Sequence, residues 1–324
     1  MQYQPKVTII IPVYNGSNFM AEAINSALAQ TYPHCEVLVI NDGSTDNGLS
    51  EQIALSYGDK IRYYHKENGG VSSVLNFAFT KMTGEWFSWL SHDDLYQPGK
   101  IEKQVAFINE LMEQHPDLDI HKITVRCASE AINKNGNVIK KYADKHFPRY
   151  EKPINTILNN VKNYKLCGCA FLLPSSCVAD VGGFAEDIRT VSDVEYWYRL
   201  LFAGYEFYCL TKDCLVQSRS HGKQVGKTKV SLFDKELTEL FRWIADEMNR
   251  NPEMATVSNN ERLYYGLTKR RCAQAANYVK TTYLKHRVGK LTYLVKYPLR
   301  ALPYALLGRL RNMARYVYRR IYVK

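Results

Sequence analysis

In the first third of the chain, short apolar runs alternate with amphipathic stretches. Val7 to Pro12, Glu36 to Asn41, Ile61 to His65 and Glu85 to Leu90 form the runs, of which VTIII and EVLVI are continuous and rich in β-branched residues. Runs of that kind mark strands covered on both faces, the habit of parallel sheets. Between them, Ala21 to Gln30, Leu49 to Tyr57 and Val71 to Met82 carry helical patterns. The order predicts βαβαβαβ, an α/β fold with a mostly parallel sheet flanked by helices. Such sheets bind ligands at the carboxyl ends of their strands, so the residues just after each run carry the most weight.

Further along, a helix is expected over Ile101 to Glu113. ITVRCASEAINKNGNVIKKY reads as a hairpin whose Asn135-Gly136 supplies the positive φ of the turn. A helix near Ile154 to Val161, a strand through Cys169 to Leu173, a helix from Asp193 to Phe202 and a strand YEFYCL follow. From about Leu232 helical periodicity dominates, with no repeat and no low-complexity linker. The expected organisation is a catalytic domain over residues 1–230, with halves at about 1–115 and 116–230, and then a helical region over 231–324.

Charge divides the chain in the same place. The net charge is +11, yet no Asp or Glu follows Glu261, while residues 262–324 hold sixteen Lys or Arg and ten Tyr. The first 261 residues therefore carry 27 basic against 32 acidic side chains, a net of −5. Cations interleaved with aromatic and aliphatic residues suit an interfacial helix at an anionic bilayer; a helix packed on the catalytic domain is the other reading. No nucleic-acid recognition motif accompanies the charge, which sets that partner aside. No stretch approaches the ~20 apolar residues of a membrane span. The opening MQYQPKVTIIIPVYN lacks the pattern of a secretory signal, and the eight cysteines show no paired spacing. The location expected is cytoplasmic, peripheral at the inner face of the cell membrane. Cys167 and Cys169 form a lone CxC, read as buried free thiols and not as a zinc site.

The residues after the four strands form polar or glycine clusters: Pro12-Val13-Tyr14-Asn15, Asn41-Asp42-Gly43-Ser44, Asn68-Gly69-Gly70 and Ser91-His92-Asp93-Asp94. Singly, each also reads as ordinary turn and cap chemistry. Together with VGGFAED, VSDVEYWYRLL and RSHGKQV, in this order over roughly residues 5–225, they resemble the family 2 inverting glycosyltransferases. The resemblance implies a GT-A-like fold and a nucleotide-sugar donor, UDP-linked by preference. It puts base and ribose against Pro12, Val13, Tyr14, Asn15, Asp42, Asn68, Gly69 and Gly70, with Ser91 and Asp93 nearby and Asp42 accepting the uracil imide proton.

A departing diphosphate gathers negative charge, which a hard divalent cation, manganese or magnesium, stabilises through carboxylate oxygens. Asp93 and Asp94 supply these, and Ser91 stands where the family often has a further Asp. His92 is expected to pack in its loop. His221 is a third metal candidate by resemblance, with Arg219 and Gln224 as diphosphate or acceptor contacts. Inversion needs a base for the acceptor hydroxyl. The family's base follows a GGF segment, which implies Asp193, with Glu186 and Asp187 in reserve and Glu195 behind them. The acceptor expected is a lipid-linked or growing surface glycan. A sugar-nucleotide nucleotidyltransferase and a non-catalytic scaffold are the competing functions. The missing GxGxxG after the first strand argues against a dinucleotide-binding dehydrogenase.

Overall fold

Strand β1 (Val7–Val13) is buried along its whole length. It pairs in parallel with β2 (Cys35–Asp42) and β4 (Trp86–Trp89), and β2 pairs in parallel with β3 (Arg62–Lys66). Helices α1 (Met20–Leu28), α2 (Leu49–Leu55) and α3 (Val71–Phe79) return the chain between them. Met20, Ala23, Ile24 and Ala27 are the buried residues of α1, the single stripe expected of a helix laid on a sheet. The computed structural model describes residues 2–142, 148–163, 167–221 and 229–284.

The sheet continues past β4 through β8 (Phe171–Pro174), β6 (Ile123–Ile132), β9 (Glu206–Arg219) and the two-residue β5 (Leu95–Tyr96), in the order β3-β2-β1-β4-β8-β6-β9-β5. Strand β7 (Val138–Tyr142) pairs with β6 as the expected hairpin, and Gly136 in its turn has φ +83. The result is a mixed sheet, parallel on the β1 side and flanked by helices. Two features depart from the pattern reading. Strand β5 was not expected, and β9 continues nine residues beyond Leu210, through polar TKDC to Arg219. Register shifts around Ala128 absorb the irregularity in its parallel pairing with β6.

Helix α4 (Lys100–Gln114) opens after Gly99, so Asp93 caps no helix. Helices α5 (Pro153–Asn163), α6 (Cys177–Val181) and α7 (Ser192–Phe202) lie between β7 and β9 along the chain. Val191 is the residue before α7, which puts Asp193 inside the first turn.

The chain divides into two units, Met1–Asn160 with Lys165–Leu237, and Val161–Tyr164 with Thr238–Lys324. The second contains most of α8 (Val230–Arg250), with α9 (Val257–Lys269) and α10 (Ala273–Thr282). Phe241, Ile244, Met248, Leu263, Leu267 and Val279 are buried in it. Tyr278 and Tyr283 both donate to Asp246 Oδ1, at 2.8 and 2.6 Å. The start of the basic region is thus built into packed helices, whereas residues 285–324, the greater part of the expected membrane-facing segment, lie outside the described residues. Among the described residues, no helix is long and apolar enough to cross a membrane.

Candidate active site

The ends of β1, β2 and β3 are tied into one surface by their own polar groups. Asn15 adopts φ 50, and its side chain clasps Thr45: the Thr45 N–H donates to Asn15 Oδ1 at 2.7 Å, and Asn15 Nδ2 donates to Thr45 Oγ1 at 3.3 Å. The Asn15 N–H donates to Ser44 Oγ at 2.9 Å. Gly43 is needed where it stands, because φ is +65 and a Cβ would fall 2.8 Å from the Asn68 nitrogen.

Asp42 organises the third cluster. Its Oδ1 accepts from the Gly69 N–H at 2.9 Å and from Lys66 Nζ at 3.0 Å, and its Oδ2 accepts from the Gly70 N–H at 2.8 Å. Asn68 Nδ2 reaches the Asp42 carbonyl at 2.8 Å. With the residue only 3% exposed, the carboxylate is first of all the anchor of the Gly69-Gly70 turn. Tyr14, by contrast, is 46% exposed and offers an aromatic face beside these turns. His92 packs under Gly16, and burial lowers its pKa.

The acidic turn after β4 meets the end of β9. Asp93 Oδ2 lies 2.8 Å from His221 Nε2. Asp94 faces inward: Oδ1 accepts from the Arg219 N–H at 2.8 Å, and Oδ2 accepts from the Cys169 thiol at 3.5 Å. Burial, and then the neighbouring charge of Asp93, push the Asp94 pKa well above the ordinary carboxylate range. Arg219 is 1% exposed, and its guanidinium donates to Glu22 Oε2 at 2.7 Å and to the carbonyls of Asp93 and Lys134 at 3.0 Å each. That geometry braces the acidic turn. Ser91 contacts Cys169 through both its N–H and its hydroxyl.

Among the described residues, no group of three or more His, Cys, Asp or Glu side chains is arranged to hold a metal ion. The donor chemistry still fits a divalent cation that takes its other ligands from a substrate diphosphate and water, the usual arrangement at phosphate sites. Asp93 and His221 provide one oxygen and one nitrogen side by side, a set manganese accepts. Burial favours the neutral carboxyl of Asp94, and a cation nearby would shift it back toward the charged form.

Asp193 lies on the other side of a short segment, Cys167-Gly168-Cys169. A Cβ on Gly168 would fall 2.3 Å from the Trp89 ring and 3.3 Å from Asp193 Oδ2, so only glycine lets these elements close up. Asp193 Oδ1 accepts from the Val194 N–H at 2.8 Å, and burial raises the carboxyl pKa to about 6. The reserve residues are differently placed. Glu186 and Asp187 are exposed, and Glu186 accepts from Asn76 Nδ2 at 2.9 Å. Glu195 is held by Arg199 through two bonds of 2.6 and 3.0 Å, which occupy both of its carboxylate oxygens. Gln224 lies outside the described residues.

Two residues escaped the sequence reading. Arg189, four residues before Asp193, donates to the Gly69 carbonyl at 2.7 Å while remaining exposed, so a cation stands over the Gly69-Gly70 turn. Nothing in its loop sequence singles it out. Lys100 is fully buried under β4, donating to Ser88 Oγ at 2.9 Å and Gln104 Oε1 at 3.0 Å, with Tyr96 beneath it. Burial lowers its pKa to about 8. Its signal was available, since a lysine in the first turn of a helix opposes the helix dipole.

A parallel half-sheet with an acidic turn after β4, continued by a mixed second half, is a GT-A-like arrangement. Residues 8–172 match the model of glycosyl transferase family 2, and the chain belongs to that family. It is 38% identical over 296 residues to an uncharacterised glycosyltransferase of Rickettsia felis, covering 89% of this chain and 46% of the relative. The chain thus spans about half the length of the curated relatives that match it over most of its length. Among solved structures, Staphylococcus aureus TarS 1-349 in complex with UDP-GlcNAc is similar with a TM-score of 0.63 at 19% identity, covering 88% of this chain and 76% of that one. Mannosyltransferase PcManGT from Pyrobaculum calidifontis, in complex with GDP-Man and Mn2+, has a TM-score of 0.56 at 17% identity, covering 96% and 81%. At these identities the likeness concerns the fold.

Proposed function

We propose that this chain is an inverting, metal-dependent glycosyltransferase that moves a sugar from a UDP-sugar to a hydroxyl of a lipid-linked or growing glycan in surface-polysaccharide synthesis. The observation that supports the reading is that Cys169 donates to Asp94 Oδ2 at 3.5 Å while a Cβ on the adjoining Gly168 would fall 3.3 Å from Asp193 Oδ2, so the acidic turn and the base candidate flank one short segment. The complexes of TarS with UDP-GlcNAc and of the mannosyltransferase with Mn2+ support a nucleotide-sugar donor and a cation. Base and ribose lie against Tyr14, Asn15 and the Asp42-anchored Gly69-Gly70 turn. Oδ2 of Asp42, with one protein donor on it, receives the imide proton.

Asp93 and His221 would hold a divalent cation, which would supply positive charge against the departing diphosphate. Arg219 keeps the acidic turn fixed, so that little reorganisation is needed as the charge grows. Asp193, ionised above a pKa of about 6, takes the proton of the acceptor hydroxyl as that oxygen attacks the face opposite the diphosphate. The basic C-terminal residues hold the enzyme at an anionic membrane where a lipid-linked acceptor resides.

The test is a panel of nucleotide sugars assayed for nucleoside diphosphate release with manganese or with EDTA. A UDP-sugar should be turned over only with the cation, and Asp93→Asn and His221→Ala should each cost at least tenfold. Full activity in EDTA and in both variants would remove the metal assignment. Turnover of a nucleoside triphosphate with a sugar 1-phosphate, releasing pyrophosphate, would point instead to a nucleotidyltransferase.

A further inference from the structure

The segment between Gly183 and α7 is clasped at both ends by side chains from other helices. At its start, Asn76 of α3 accepts from the Phe184 N–H at 2.7 Å through Oδ1, and its Nδ2 donates to the Phe184 carbonyl and to Glu186 Oε1 at 2.9 Å each. At its end, Glu236 of α8 accepts three bonds: the Arg189 N–H reaches Oε1 at 2.9 Å, and the Thr190 N–H and hydroxyl reach Oε2 at 2.8 and 2.5 Å. Glu236 belongs to the same compact unit as the site. It takes the backbone of Arg189 and not its guanidinium, so the cation is aimed without being neutralised there. The guanidinium lies over the Gly69-Gly70 turn, donating to the Gly69 carbonyl at 2.7 Å, and a Cβ on Gly70 would fall 2.8 Å from Nη1. The N–H groups of that turn go to Asp42. A long, exposed arginine samples many rotamers, and fixing its backbone limits where its guanidinium can reach.

We propose that Glu236 is a positioning residue for the donor: its carboxylate fixes the Arg189 backbone so that the guanidinium stands where the nucleotide docks on the Gly69-Gly70 turn. This rests on the reading that the turn receives the nucleotide. A nucleoside diphosphate is anionic, and a planar guanidinium gives it charge-assisted hydrogen bonds. How much they contribute depends on preorganisation, because an arginine free to wander loses that freedom on binding and weakens the complex accordingly. Val191 and Ser192 are buried, and the Glu195 N–H closes onto the Val191 carbonyl at 2.9 Å, so the start of α7 with Asp193 has its own anchorage. Glu236 therefore acts through Arg189, and its removal should raise KM for the donor with little change in kcat.

The test uses the full chain with Glu236→Ala, Arg189→Ala and both together, each titrated with UDP by calorimetry and assayed with the UDP-sugar that the panel selects. Amide hydrogen exchange at Arg189 and Thr190 is followed in the free proteins. UDP binding should be about tenfold weaker in each single variant, and no weaker in the double variant than in Arg189→Ala alone. KM should rise in step, with kcat within about twofold of wild type. The two amides should exchange faster in Glu236→Ala. Glu236→Gln keeps the size and one acceptor oxygen; it should fall between wild type and Glu236→Ala, and it carries the same comparison should the alanine variant fold poorly. Wild-type affinity without the Glu236 carboxylate, losses that multiply in the double variant, or unchanged amide exchange would each overturn the proposal. Wild-type protein that binds no UDP would refute the donor reading instead, since the exchange rates decide separately whether Glu236 holds the segment.

Discussion

Replacing Asp193 by Asn should make the protein more stable and nearly inactive at once. Burial raises the Asp193 carboxyl from an ordinary 3.8 to about 6. Between those values the folded state binds more protons than the unfolded state, so stability falls as pH rises through the interval. The neutral form is the comfortable one, and ionising it in place costs up to about 3 kcal/mol, from roughly two units at 1.36 kcal/mol each. Asn keeps the size and the acceptor oxygen facing Val194 without the charge. Urea unfolding of both proteins should show an advantage for Asp193→Asn that grows from about 0.5 kcal/mol at pH 4 to about 3 kcal/mol at pH 8. Turnover should fall at least about a hundredfold, the usual contribution of a general base, with nucleotide affinity nearly unchanged. A variant less stable than wild type at pH 8 would refute the reasoning, because the carboxylate would then be wanted for its bonds to the helix start. Wild-type activity would move the base to Glu186 or Asp187.

Other outcomes follow from the same geometry. Arg189→Ala should weaken UDP binding about tenfold by calorimetry, the scale of one charge-assisted hydrogen bond, with little change in kcat; unchanged affinity would limit Arg189 to bracing the Gly69 carbonyl. Burial lowers the Lys100 pKa from 10.5 to about 8, so the unfolded state binds more protons between those values and stability rises with pH there. Wild type should therefore gain roughly 2 kcal/mol on Lys100→Met between pH 7 and 10, and parallel pH curves for the two proteins would contradict this. A chain ending at Arg287 should lose binding to anionic vesicles, where each cation contributes about 1 kcal/mol at low salt, and still turn over a soluble donor. Vesicle binding equal to that of the full chain would remove the membrane role.

The first half was legible because β1 and β4 are buried throughout and β2 over most of its length, which forces unbroken apolar runs such as VTIII and leaves the polar clusters at the breaks. The hairpin turn was legible because Gly136 needs a positive φ. The far half was less so. Strand β9 carries polar TKDC through its middle and is held to β6 by backbone bonds, which leave no mark on side-chain pattern, so its extension to the acidic turn could not be read. The same limit hid what neighbours do to the charged residues. Nothing local to Asp42 shows that Gly69, Gly70 and Lys66 take up its oxygens, and nothing local to Arg219 shows that Glu22 will meet it 197 residues away.

The central claim is that a cation on Asp93 and His221 and a base at Asp193 act on one donor. Crystals grown with manganese and a UDP-sugar, with diffraction recorded at the manganese absorption edge, test it most directly. The account predicts an anomalous peak within coordination distance of Asp93, His221 and the diphosphate, with the anomeric carbon open toward Asp193. A nucleotide bound with no ion at Asp93, or a sugar whose anomeric carbon faces away from Asp193, would contradict it.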